Sequence, residues 1–182
     1  MTVVIDTSSL LSMVRYYLPF DNEGKLKTLI QTKVESGEII VLDKVAEECG
    51  YVAGGIVLQQ LDFLADKKNH TKTTDLFPPK AFFNMLDNQF VNYAIIRKLN
   101  LTDEEYEARK TAYLDNADAK IILYAYAQSR LGIHITVVSE ESSVGNDDKM
   151  YKKIPTICSS IDIDCIQMPE LLQKFKEIEV KF

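Results

Sequence analysis

The side chains in this sequence best placed to do chemistry are carboxylates that stand at the ends of strands and helices. Asp6 closes the β-branched run TVVI, Glu47 and Glu48 lie in DKVAEEC, Asp115 and Asp118 flank the start of NADAKIILYAYA, and Glu140 and Glu141 follow ITVVS, with Asp147 and Asp148 further along the same loop. An acid at a strand-to-helix junction is ordinarily an N-cap or an Asx-turn residue, so Asp6 alone would be read as a cap. Glu48 is more informative. Val45, Glu48, Cys49 and Val52 recur at helical spacing, which puts an acid on an otherwise apolar stripe, whereas Glu47 lies about 100° around the helix. Asp118, Ile121, Ile122 and Ala125 repeat the pattern. A carboxylate on a buried stripe is costly unless it is paired, protonated or bound to metal. The competing roles are ordinary ones: a first-turn acid after the N-cap Asn116 favours the helix dipole, a role Asp115 could also fill, and loop acids are mostly solvated.

If these acids converge, they cannot all stay ionised without a compensating cation. Oxygen donors without histidine or thiolate suit Mg2+ or Mn2+. The rest of the composition leaves few rivals. His70 and His134 are the only histidines, and Cys49, Cys158 and Cys165 lack the close pairs of a zinc site, so they are expected as buried reduced thiols. A net charge of -6 argues against bulk attraction to nucleic acid, yet a cation-loaded acid cluster presents a positive face to phosphate. Lys149, Lys152 and Lys153 follow the last acidic loop and are candidate phosphate contacts, against the alternative of a solvated face.

The elements that must position these groups alternate. Residues 2–5 read as a strand running through Thr7, Ser8 and Ser9 into the helix LLSMVRYYL; residues 22–36 as a helix closed by Gly37; 39–42 as a second strand; and 44–49 as a short helix ended by Gly50. Between about 52 and 114 the pattern is mostly helical: IVLQQLDFLADKK, then AFFNMLDNQFVNYAIIRKL after Pro78 and Pro79, then DEEYEARKTAYL after the candidate cap Thr102. The polar KKNHTKTTDLF between the first two has room for a short extended piece. A helix from Asn116 to about 131, the strand HITVVS, the loop EESSVGNDDK, the segment IPTICSSI, the strand IDCIQM and a helix PELLQKFKEI complete the chain. This alternation predicts one α/β domain over 1–182, three layers around a mostly parallel sheet, with an enlarged helical insertion and the acids at the strands' carboxyl ends. No linker, repeat or bilayer-length apolar stretch interrupts it, and the start MTVVIDTSS carries no basic leader, so a cytoplasmic protein without membrane contact is expected.

VVIDTSSLL, VAEEC, NADAKIILYAYA and VVSEES together resemble the ordered acidic motifs of PIN domains. The tail KKIPTICSSIDIDCIQMPELL resembles in particular the uncharacterised PIN-like family DUF4411. The resemblance implies a PIN-like fold and a metal-dependent nuclease, most simply an endoribonuclease, acting as the toxin of a toxin-antitoxin pair. It also implies that Asp6, Glu48 and Asp118 are the first three catalytic, metal-binding acids. Where the family has Thr-any-Asp, this chain has Ser139, Glu140 and Glu141, so Glu141 takes the fourth place and Ser139 the hydroxyl position beside metal or phosphate. The implied partners are RNA and an antitoxin protein, with a homodimer kept open, and the implied cofactor is Mg2+ or Mn2+. Two other classes stay open: a non-catalytic binding module of the same fold, and a phosphate-transfer enzyme. An aspartyl-nucleophile phosphatase, however, would want a second Asp where Ser8 stands.

Overall fold

The computed structural model describes residues 1–142, 149–175 and 177. At its centre lie four strands: β1 (Thr2–Ile5), β2 (Ile39–Ile40), β3 (Ile135–Val138) and β4 (Cys165–Ile166). They are ordered β2-β1-β3-β4, and every pairing is parallel. The register sets Val3 opposite Ile39 and Thr136, and Val137 opposite Cys165. All four residues of β3, and three of the four in β1, are buried, as expected for continuous β-branched runs in a sheet covered on both faces. The fold is a three-layer α/β/α arrangement.

Helix α1 (Thr7–Ser12) leaves β1 directly; α2 (Lys25–Glu35) leads to β2 and α3 (Asp43–Cys49) leaves it; α4 (Ile56–Gln60), α5 (Lys80–Met85), α6 (Tyr93–Leu99) and α7 (Asp103–Leu114) follow. α8 (Ala117–Arg130) feeds β3, and α9 (Ile154–Ser160) and α10 (Met168–Lys174) flank β4. α8 packs on β3 and β1 and touches α3, α7 and α9, so the helix that carries Asp118 lies against the helix that carries Glu48. The caps at Thr102 and Asn116 form as the sequence predicts: Thr102 and Glu105 make a reciprocal capping box, and Asn116 accepts the Ala119 N–H at 2.9 Å.

The helices predicted as long and continuous are broken. The first turns into a wide π turn (Met13–Tyr17) and then a 3-10 turn (Leu18–Phe20), because Pro19 cannot continue the i→i−4 ladder. The predicted helix 56–68 stops at Leu61 and proceeds as 3-10 turns, which bring Leu61, Phe63 and Leu64, crowded together in sequence, all into the core. The predicted 81–99 helix ends at Phe90. Val91 turns extended and pairs with Tyr151, the Lys152 N–H reaches the Phe90 carbonyl at 2.8 Å, and Asn92 caps a new helix. The polar 67–77 segment does carry its extended piece, a parallel bridge from Thr71 to Leu42. IPTICSSI, left unassigned above, is α9.

The turn after α3 is tight. Ala53, Gly54 and Gly55 all have positive φ, and a Cβ on Gly55 would stand 2.8 Å from the Gly50 carbonyl oxygen. The main apolar cluster runs without a break from the sheet, through Val4, Ile5 and Val137, into the 52–114 segment, through Leu61, Leu64, Phe82, Leu86 and Phe90. No helix among the described residues is long and apolar enough to cross a membrane.

Candidate functional site

Asp6 follows β1 and is held there by its own backbone, whose N–H donates to the Val138 carbonyl at 2.9 Å. It occupies the N-cap position of α1 with the extended dihedrals of a cap, but its side chain makes no capping hydrogen bond. The buried carboxylate instead accepts Ser8 Oγ–H at 2.5 Å and Ser139 Oγ–H at 3.0 Å on the same oxygen, Oδ2. Capping therefore does not account for Asp6. Burial raises its pKa, the two hydroxyls work against that rise, and the charges of Glu141 and Glu48 add to it.

Glu48 is half-buried on α3, between fully buried Val45 and Cys49, while Glu47 is exposed, as the apolar stripe predicts. Its Oε2 accepts Thr7 Oγ1–H at 2.7 Å, which ties α3 to the first residue of α1. The thiol of neighbouring Cys49 is pushed up to about 12 by burial and then by the Glu48 charge, so it stays protonated and unreactive. Asp118 lies in the first turn of α8. Its pKa is pushed up to about 7, by burial first and then by the charges of Asp6, Glu141 and Glu48, with Lys149 offsetting part of the rise. The rival acid Asp115 faces away and pairs with Lys44 at 2.9 Å.

Glu141 stands after β3 with both oxygens engaged. Oε1 accepts Lys149 Nζ at 3.2 Å, and Oε2 accepts the Ile154 N–H, the first of α9, at 3.0 Å. Its neighbour Glu140 does the same for α10, accepting the Met168 N–H at 2.7 Å. These two loop acids are not merely solvated: each satisfies an orphan donor at a helix start. Ser139 is buried and links the acids, donating to Asp6 while its Oγ accepts the Glu141 N–H at 3.2 Å. We predict that Ser139→Ala lowers stability by about 1–3 kcal/mol, because it leaves a buried carboxylate with one donor fewer and the Glu141 N–H unpaired. Urea unfolding followed by circular dichroism measures this.

Lys149 is thus a counter-ion of the acid cluster as well as a candidate phosphate contact. Lys152 and Lys153 are half-buried in the following segment, which is anchored through the Phe90 carbonyl and the start of α9. Asp147 and Asp148 lie outside the described residues. Both histidines are engaged elsewhere, His70 with the Leu64 carbonyl at 2.7 Å and His134 with Asp164 at 3.2 Å. Thr7 and Ser8 read in sequence only as turn and cap residues. The usable signal was a run of hydroxyls directly after a strand-end acid. Nothing in the sequence pointed to Tyr113, whose buried hydroxyl has no hydrogen-bond partner among the described residues and feels the charge of Asp118.

The structure therefore brings Asp6, Glu48, Asp118 and Glu141 within electrostatic reach of one another at the carboxyl edge of β1 and β3. A cavity lined by Ser139, Glu141, Pro155, Ile166, Gln167 and Glu170 adjoins them. The donors are carboxylate and hydroxyl oxygens, and their negative charge is only partly met by Lys149, which is the chemistry a hard divalent cation fits. As the side chains stand, no three His, Cys, Asp or Glu groups among the described residues are gathered closely enough to hold an ion, so binding one would require the acids to turn inward.

No curated protein and no solved structure matches the chain. One family model does, described as a domain of unknown function, DUF4411, and it matches residues 3–178, taking in every acid discussed above. The chain belongs to the DUF4411 family.

Proposed function

We propose that this protein is a metal-dependent nuclease that hydrolyses phosphodiester bonds, with RNA as its substrate. The observation that carries the reading is Asp118: a carboxyl raised to about 7 by burial and by three neighbouring carboxylates marks a site that is short of positive charge. A divalent cation, Mg2+ or Mn2+, held by Asp6, Glu48, Asp118 and Glu141 would supply that charge, lower the pKa of an attacking water and neutralise the scissile phosphate. The chain's own groups have distinct tasks. Ser8 and Ser139 both donate to one oxygen of the Asp6 carboxylate, and Thr7 donates to Glu48, so both acids are pre-oriented by hydroxyl hydrogen bonds. Lys149, which pairs with Glu141, would with a cation bound there also be placed to donate to a phosphate oxygen. Lys152 and Lys153 extend that basic segment along the substrate backbone. The choice of RNA rests on the resemblance to PIN domains, as does the role of a toxin neutralised by an antitoxin.

A second reading, a non-catalytic binding module, is favoured by one observation. Both oxygens of Glu141 already satisfy protein donors, which is how a purely structural acid would be placed. Incubating the purified chain with labelled RNA and single-stranded DNA, in Mg2+, Mn2+ or chelator, separates the two. Under the nuclease reading RNA is cut only with a divalent cation, and Asp6→Asn reduces the rate by about 10²–10³-fold. Cleavage that ignores both Asp6→Asn and Asp118→Asn would overturn the site. An absence of cleavage together with an absence of Mn2+ binding would leave the binding module.

A further inference from the structure

Tyr113 lies in the last turn of α7, and its carbonyl accepts the Asn116 N–H at 3.0 Å, so a tight turn joins it to the start of α8, where Asp118 stands. The residue is only 8% exposed, and its hydroxyl is buried without a hydrogen-bond partner among the described residues. The ring stacks on Tyr151 at 3.8 Å with an interplanar angle of 12°. Tyr151 is in turn pinned by its bridge to Val91, two residues beyond Lys149, which pairs with Glu141. Tyr113 is therefore wedged between the element that carries Asp118 and the segment that carries the counter-ion of Glu141. Burial first, and then the charge of Asp118, raises the pKa of its phenol, with Tyr151 and Glu141 contributing less, so the hydroxyl is a donor throughout the working pH range.

A buried donor without an acceptor is unfavourable, and phenylalanine would fill the same space and keep the same stack. We infer that Tyr113 is a positioning residue of the acid site, its hydroxyl donating to the Asp118 carboxylate when the acids turn inward around a cation. The inference rests on the metal-site reading above. It accounts for a polar atom that the resting arrangement leaves unused, and it gives Asp118 the hydroxyl donor that Asp6 and Glu48 already have from Ser8, Ser139 and Thr7. Second partners of this kind tune the affinity of metal-binding side chains about 10–100-fold.

Tyr151 supplies the internal control. Its hydroxyl is also buried and unpartnered among the described residues, but the charges that act on it are those of Asp87, Glu107 and Arg109, not those of the site. The test is Mn2+ titration calorimetry on the whole chain, wild type, Tyr113→Phe and Tyr151→Phe, with thermal unfolding of each in chelator. Tyr113→Phe is expected to weaken Mn2+ binding about tenfold while the cation-free melting temperature holds or rises, and Tyr151→Phe is expected to leave Mn2+ binding unchanged. A hydroxyl with a merely structural role would lower the melting temperature and leave affinity alone. Mn2+ affinity of Tyr113→Phe within twofold of wild type, or an equal loss in Tyr151→Phe, overturns the inference. Wild-type protein that binds no Mn2+ at all overturns the metal-site reading and this inference with it.

Discussion

Replacing Asp118 by Asn is expected to make the cation-free protein more stable and, on the nuclease reading proposed above, to suppress RNA cleavage. The two effects have one cause. Burial and the charges of Asp6, Glu141 and Glu48 lift Asp118 from 3.8 to about 7, so its ionised form is disfavoured in the folded chain. A carboxyl raised on folding favours the native state below its unfolded pKa, and that stability is lost as pH climbs toward the folded value. Between about pH 4 and 7 the folded state holds the proton that the unfolded chain releases, so stability falls with rising pH. The loss levels off above pH 7 and amounts to about 3 kcal/mol after allowance for the partial exposure of Asp118. Asp6 is shifted in the same direction and adds to the slope. Urea unfolding in chelator at pH 5 and pH 8 should show wild type weaker at pH 8, with a smaller drop in Asp118→Asn, where only the Asp6 contribution to the slope remains. Saturating Mn2+ should restore wild type at pH 8, because a ligand held only by the folded state stabilises it by mass action. On the proposed metal-site reading Asn brings no charge to hold that ion, so RNA cleavage by the variant should fall by about 10²–10³-fold. A variant no more stable than wild type at pH 8 would show that the acids do not repel one another as described.

The second large effect lies away from the acids. Phe82 lies in the first turn of α5, after Pro78 and Pro79, and is fully buried, with its ring edge-on to Phe90 and tilted against Tyr126, both at 5.7 Å between centroids. Tyr126 belongs to α8, the helix that also carries Asp118. Phe82→Ala is expected to cost about 3–5 kcal/mol, for the lost burial and for the cavity left among neighbours that are themselves fixed. In a chain of this length that corresponds to a fall of about 10 °C in melting temperature. Because the apolar cluster is continuous from the sheet to Phe82, the loss should appear as one earlier transition by circular dichroism. A separate early step, with the remaining helix signal unchanged, would show that the 52–114 segment melts independently of the sheet.

Much of this architecture is legible in local pattern. The runs TVVI and ITVV read as buried parallel strands, and the stripes that contain Glu48 and Asp118 put both acids among apolar residues, with Glu47 left outside; Asp115, a rival in the sequence, is set apart only by its pairing with Lys44. The caps at Thr102 and Asn116 are equally readable, because a cap is a contact between residues three apart. The breaks in the helical middle are a different matter. Phe90 to Asn92 continue a good helical pattern, and they leave it because Val91 finds a strand partner in Tyr151, far along the chain.

By itself the sequence determined the alternation of strands and helices around the sheet, the parallel layering and the acids that interrupt apolar stripes, since hydrophobic period and capping act over a few residues. Only the tertiary structure decided what each acid touches: Asp6 turned from its cap position to Ser8 and Ser139, Glu48 to Thr7, and Glu141 shared between Lys149 and the start of α9. Those partners, and the shift of Asp118 to about 7, depend on burial and on charges brought together from four separate elements, and no local window of sequence holds that information.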